Sequence, residues 1–130
     1  QINTPQTQFD RGIVLCCGQE KRDVARSYQL MCLAAKAGHI DAQYHLGTFY
    51  ENGLSSADEG SSARPFSLLP DITKSHMWYG ISADMGHKLA AKRKKKLKKK
   101  MDITQINNSF QLRKFWRRQS CHEKEDRFKG

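Results

Sequence analysis

The stretch Ala42–Gly53, AQYHLGTFYENG, decides how the whole chain is read. Ala42, Leu46 and Phe49 recur at helical spacing. Gly53 ends the run, since a glycine just past a helix takes the left-handed backbone that closes it. Gly47 is the anomaly. Inside a helix it costs about 1 kcal/mol relative to alanine. A backbone bare of side chain is useful there if a second helix packs very close.

Sliding the sequence along itself supplies that second helix. At an offset of 35, Phe9 falls on Tyr44, Gly12 on Gly47, Leu15 on Tyr50 and Gly18 on Gly53. At an offset of 48, Asp23 falls on Asp71, Arg26 on Lys74 and Ser27 on Ser75. The same offset sets Ala35 on Ala83, Gly38 on Gly86 and His39 on His87. Two offsets mean one repeat interrupted by an insertion of 13 residues between Gly53 and Asp71. Residues 54–70, LSSADEGSSARPFSLLP, are rich in Ser, Gly and Pro and read as that loop.

Each unit is then a pair of helices, A and B. The A helices are predicted at about 6–17 and 41–52, the B helices at about 23–37 and 71–85. Asp23 and Asp71 are N-cap candidates, and Gly38 and Gly86 suit the C-terminal turns. Leu30, Leu33, Ala34 and Ala37 share one face of the first B helix; Trp78, Ile81, Ser82 and Met85 take those places in the second. Small residues at 34, 35 and 83 permit close helix contact.

This pattern resembles the Sel-one-like repeat, a relative of the tetratricopeptide repeat. The resemblance rests on Ala42, Leu46, Gly47, Tyr50, Gly53, Asp71, Lys74, Trp78, Tyr79, Ala83 and Gly86 in the second unit. The first unit matches at Gly12, Gly18, Asp23, Arg26, Ala34, Ala35 and Gly38, with Arg11 where a leucine is usual. It covers about residues 7–90. It implies an all-α, right-handed solenoid of two helix-pair repeats with a C-terminal capping region. It also implies an adaptor that holds another protein or peptide and performs no catalysis. Residues 1–118 would form one domain, with units at about 6–38 and 41–87 and basic capping helices at 88–118; residues 119–130 would be a charged tail. Two units are few for a solenoid, so a homo-oligomer or a partner is a further expectation.

Three regions are candidates for contact. With Leu46 and Phe49 buried, Tyr44, Thr48 and Glu51 point away from the core, and Phe9, Ile13 and Cys16 match them in the first unit. Phe9, Ile13, Tyr44, Thr48 and Glu51 would line a peptide groove, or else pack under the loop or tail. Phe66, Leu68 and Leu69 in the insertion either meet a partner or pin the loop to the core. The run Lys92–Lys100 has one uncharged residue, Leu97.

The net charge is +10, yet residues 88–118 hold 13 Lys and Arg against a single Asp, so the rest is slightly acidic. Lys94, Lys95, Lys96, Lys98, Lys99 and Lys100 are the alternative site, for nucleic acid or another polyanionic surface. A solvated face is the plain reading. No aromatic interrupts the lysines, which argues against stacking of single strands. Leu89, Leu97 and Met101 leave a thin apolar stripe, and Asp102 with Gln105 reads as a capping box. Ile106, Phe110 and Phe115 or Trp116 would close the stack.

No run approaches the 18 or so apolar residues of a membrane span, and no CxxC or catalytic triad pattern suggests a metal or cofactor. His39 and His87 sit at matching turns and read as structural. Cys32 lies too far along its helix to bridge Cys16 or Cys17, so mostly free thiols are expected, with one disulfide to Cys121 possible. The chain starts at Gln1 rather than methionine. That leans toward an exported, periplasmic bacterial protein, with the cytoplasm as alternative.

Overall fold

The computed structural model describes residues 4–17, 22–56 and 66–121. Six helices follow in order: α1 Pro5–Cys17, α2 Val24–Lys36, α3 Ile40–Asn52, α4 Ile72–Asp84, α5 Lys88–Lys98 and α6 Ile103–Arg113. Helices α1 and α2 form one hairpin, and α3 and α4 the next. Helix α2 packs on α3, and α5 and α6 each pack on α4. The chain is an all-α solenoid of helix pairs.

The two units repeat down to single hydrogen bonds. Asp23 accepts from the Arg26 amide and Asp71 from the Lys74 amide, each 3.1 Å, as N-caps of α2 and α4. Both B helices end alike. Gly38 (φ 100°) and Gly86 (φ 103°) take the left-handed backbone, and the amides of His39 and His87 reach back to the carbonyls of Ala34 and Ser82. Buried serines clamp A to B: Ser27 Oγ donates to the Gly12 carbonyl at 2.6 Å, and Ser75 Oγ to the Gly47 carbonyl at 2.7 Å. Gly47 is explained. A Cβ there would lie 2.5 Å from Cδ1 of Tyr79, whose side chain is fully buried.

The insertion is pinned. Leu54–Ser55 (β1) pairs antiparallel with Ser67–Leu68 (β2). Phe66 and Leu68 are buried, Phe66 beside the Tyr28 ring, while Leu69 is exposed. Residues 57–65 lie outside the described set. The main core joins α1–α4 with these two residues and Cys121; a second cluster unites Tyr44, Tyr79, Ala90, Leu97 and Met101. The Asp102–Gln105 capping box opens α6.

Four expectations change. The buried face of α2 is Val24, Ser27, Tyr28, Met31, Cys32, Ala34 and Ala35, with Leu33 43% exposed and Ala37 exposed. Met31 fills the space left by Gly12, and this turns the helix away from the leucine face. Met85 and Leu89 are also exposed, Ala90 taking the inward place on α5. In α6 the buried residue is Ser109, bonded to His76, while Phe110 and Phe115 are exposed and Trp116 packs edge-on against Trp78. The thiols are not free. Cys16 is bonded to Cys17, and Cys32 to Cys121 with Cα atoms 5.7 Å apart. A 3₁₀ turn at Trp116–Arg118 brings the chain back across α2, so Cys121 is buried rather than loose. Residues 122–130 lie outside the described set.

Candidate partner-binding face

The face starts at the inter-repeat turns. His39 caps α3, its Nδ1 accepting from the Ala42 amide, and His87 caps α5 through the Ala90 amide, each at 3.1 Å. Each ring also lies flat on an aromatic of the preceding A helix. Phe9 stacks on His39 at 4.6 Å and Tyr44 on His87 at 4.5 Å. The other ring nitrogens are held too, His39 Nε2 by Gln6 at 2.9 Å and His87 Nε2 near Asp41 at 3.2 Å.

This changes the standing of the five groove residues. Tyr44 is buried, enclosed by His45, Tyr79 and His87, so it supports the face instead of presenting a free ring. Phe9 and Ile13 are half-buried against the core. Thr48 is half-buried, its hydroxyl donating to the His45 carbonyl at 2.6 Å. Glu51 accepts from the Tyr79 hydroxyl at 2.6 Å and from Arg93 at 3.4 Å. Burial, then the bond to Glu51, pushes the Tyr79 phenol well above its ordinary pKa. His45 lies between the rings of Phe9 and Tyr44, at 5.4 and 5.5 Å, and burial holds its pKa below the usual value. The imidazole bridges the two units.

The lysines do not all face one way. Lys95, Lys96 and Lys99 line a cleft of about 390 Å³ together with Leu89, Lys92 and Arg93. Lys94 turns the other way, 6.0 Å over the Phe110 ring of α6. Lys94 and Lys98, with Arg113, lie close enough to His76 to oppose its protonation. Lys98 and Lys100 are exposed. Phe110 also supplies an aromatic neighbour that the lysine run itself lacks.

Known proteins can now be set beside this geometry. The Sel1 repeat family matches residues 5–39 and 40–87, more than half of the chain. The chain belongs to the Sel1 repeat family. The fold and the sequence resemblance agree on this, and such repeats serve in general as protein-interaction scaffolds. Among solved structures, this Sel1 chain is similar to c5321, a protective antigen of uropathogenic Escherichia coli strains displaying an SLR fold. The TM-score is 0.71 at 20% identity, which speaks to fold alone. The match covers 98% of this chain and 25% of that one, so the chain spans about a quarter of the antigen's length. No curated protein matches it.

Within the Sel1 frame, α5 occupies the place of a third A helix. The offset of 48 that relates His39 to His87 also sets Ala42 on Ala90 and Phe49 on Leu97, all buried in both cases except the half-buried capping rings. Tyr44 then corresponds to Lys92, His45 to Arg93 and Thr48 to Lys96. The sequence reading passed over His45, took Leu89 for part of a buried stripe, and saw Lys92 and Arg93 only as part of the basic run; carrying the offset one helix further would have joined them to this face. Among the described residues, no cluster of three or more His, Cys, Asp or Glu could hold a metal, and no helix is long and apolar enough to cross a membrane.

Proposed function

We propose that the chain is an adaptor module that seats a peptide segment of a partner protein on its A-helix face, along Phe9, Ile13, Thr48 and Glu51. The observation that carries this is how firmly the face is framed. Phe9 and Tyr44 are each stacked on a capping histidine, and Glu51 is held by Tyr79 and Arg93. A surface fixed before binding loses little conformational entropy on binding. The Sel1 repeat supports an interaction role in general. The proposed role is non-catalytic: the polar groups of the face already bond one another, and none forms a nucleophile–base pair. Panning a random peptide library on the protein tests the reading. Clones lost in the Ile13→Glu/Thr48→Arg double variant support it. Clones that ignore both changes count against it.

The second reading is a polyanion binder through Lys94, Lys95, Lys96, Lys98, Lys99 and Lys100. It is favoured by one fact: among the described residues, none of the six forms an ion pair. Fluorescence anisotropy with duplex DNA and single-stranded RNA across a salt series tests it. Sub-micromolar affinity at physiological salt, lost on changing the six to Gln, supports it; affinity gone by about 0.15 M salt refutes it.

A further inference from the structure

We propose that α5 is the third rung of this binding face and that its cleft takes an acidic peptide with a leucine-like anchor. The inference rests on the A-helix face being the partner-binding face, and it names the chemistry of the partner. The cleft of about 390 Å³ is lined by Leu89, Lys92, Arg93, Lys95, Lys96 and Lys99. It continues the face directly, because Arg93 reaches Glu51 of α3 at 3.4 Å and His87 lies on Tyr44.

Three observations select the occupant. Leu89 is 48% exposed, and with the aliphatic stems of the lysines it gives the cleft an apolar wall beneath a cationic rim. That combination fits an apolar side chain flanked by carboxylates. Lys92, Lys95, Lys96 and Lys99 have no ion-pair partner among the described residues. Like charges three and four residues apart on one helix destabilise it, and carboxylates from outside would relieve them. Lastly, no aromatic ring lines the cleft, so stacked bases find no platform there.

The test uses the full chain and a dye-labelled peptide with leucines spaced three and four apart among glutamates. Its controls are the same peptide with glutamines, a single-stranded RNA and vesicles of anionic lipid. Two triple variants remove equal charge, the first from lysines that line the cleft and the second from lysines that do not: Lys92→Gln/Lys96→Gln/Lys99→Gln, and Lys94→Gln/Lys98→Gln/Lys100→Gln. Leu89→Gln removes the anchor contact at an exposed position. The expected result is acidic-peptide binding that falls roughly tenfold, about 1.4 kcal/mol, in Leu89→Gln. It falls at least as far in the first triple variant and stays nearly unchanged in the second. Equal loss in both triple variants, or RNA or vesicle binding that matches the peptide and ignores Leu89, overturns the proposal. If Ile13→Glu/Thr48→Arg removes peptide binding while the α5 variants keep it, the α5 inference falls and the A-helix face stands. If no variant matters, both fall.

Discussion

Gly47 and Gly12 are equivalent in sequence but not in consequence. A Cβ at Gly47 meets the buried Tyr79 ring at 2.5 Å, whereas at Gly12 it meets the flexible end of Met31 at 3.1 Å. Gly47→Ala should therefore cost roughly 1–2 kcal/mol net, overpacking exceeding the gain in helix propensity. The melting midpoint would fall by about 5 °C. Gly12→Ala should leave it unchanged or slightly raised, because methionine repacks easily. Equal shifts in the two variants would refute the ring contact as the cause. His76 makes a second argument at this scale. Its Nδ1 meets Ser109 Oγ at 2.7 Å, and its Nε2 is buried with no hydrogen-bond partner among the described residues. Burial, aided by Lys94, Arg113 and Lys98, lowers its pKa to about 4. Below about pH 6.5 the unfolded chain takes up a proton that the fold refuses. Stability should thus drain away as pH falls from about 6.5 to about 4, by roughly 3 kcal/mol from this group. His45, also lowered by burial, adds to the slope. Denaturation midpoints across that window should fall less steeply for His76→Asn; parallel slopes would exclude the residue as their source.

At the scale of elements, caps decide where the chain turns, and caps were legible. Asp23, Asp71, Gly38 and Gly86 are short-range signals, repeated at one offset, and the helices start and stop within a residue or so of where these place them. The faces were less legible. Leu33 looks like core by hydrophobicity, yet Met31 is inside, because Gly12 on the neighbouring helix opens a space that only the pairing reveals. Tyr44 was legible as part of the face but not as buried, since its lid is His87, more than forty residues on. The equivalence of α5 to an A helix was hidden for another reason: its seven Lys and Arg drew the eye from a helix that keeps the A-type cap and the inward Ala90 and Leu97. His87 should accordingly matter more to α5 than its exposure suggests. With lysine at 88 opposing the helix dipole, the Nδ1 cap is the main support of the first turn. His87→Ala should cost about 1 kcal/mol. It should also speed hydrogen exchange at the Ala90 amide while leaving α2 unaffected. An unchanged Ala90 exchange rate would remove the cap from the account.

At the scale of the molecule, one covalent tie joins the two ends of the solenoid. Cys32 belongs to the first unit and Cys121 follows the last helix, 89 residues later. No local pattern could have announced that pairing, because it depends on the path of the chain after α6, where Trp116 settles against Trp78 and turns the backbone toward α2. Its effect should be large. Two helix pairs have few neighbours to share their cooperativity, and closing a loop of this length removes about 4–5 kcal/mol of chain entropy from the unfolded state. Against a typical total of about 5–15 kcal/mol, that is a major share. Reduction should therefore lower the melting midpoint by more than about 10 °C. It should also shift tryptophan emission to the red as Trp116 leaves Trp78. The vicinal pair Cys16–Cys17 closes almost no loop, so it contributes little by this route. Cys121→Ala separates the two bridges: it should reproduce the destabilisation of the reduced protein and then respond only weakly to reductant. If the oxidised and reduced chains melt together, the solenoid stands without its tie, and the stability must be sought in the helix packing alone.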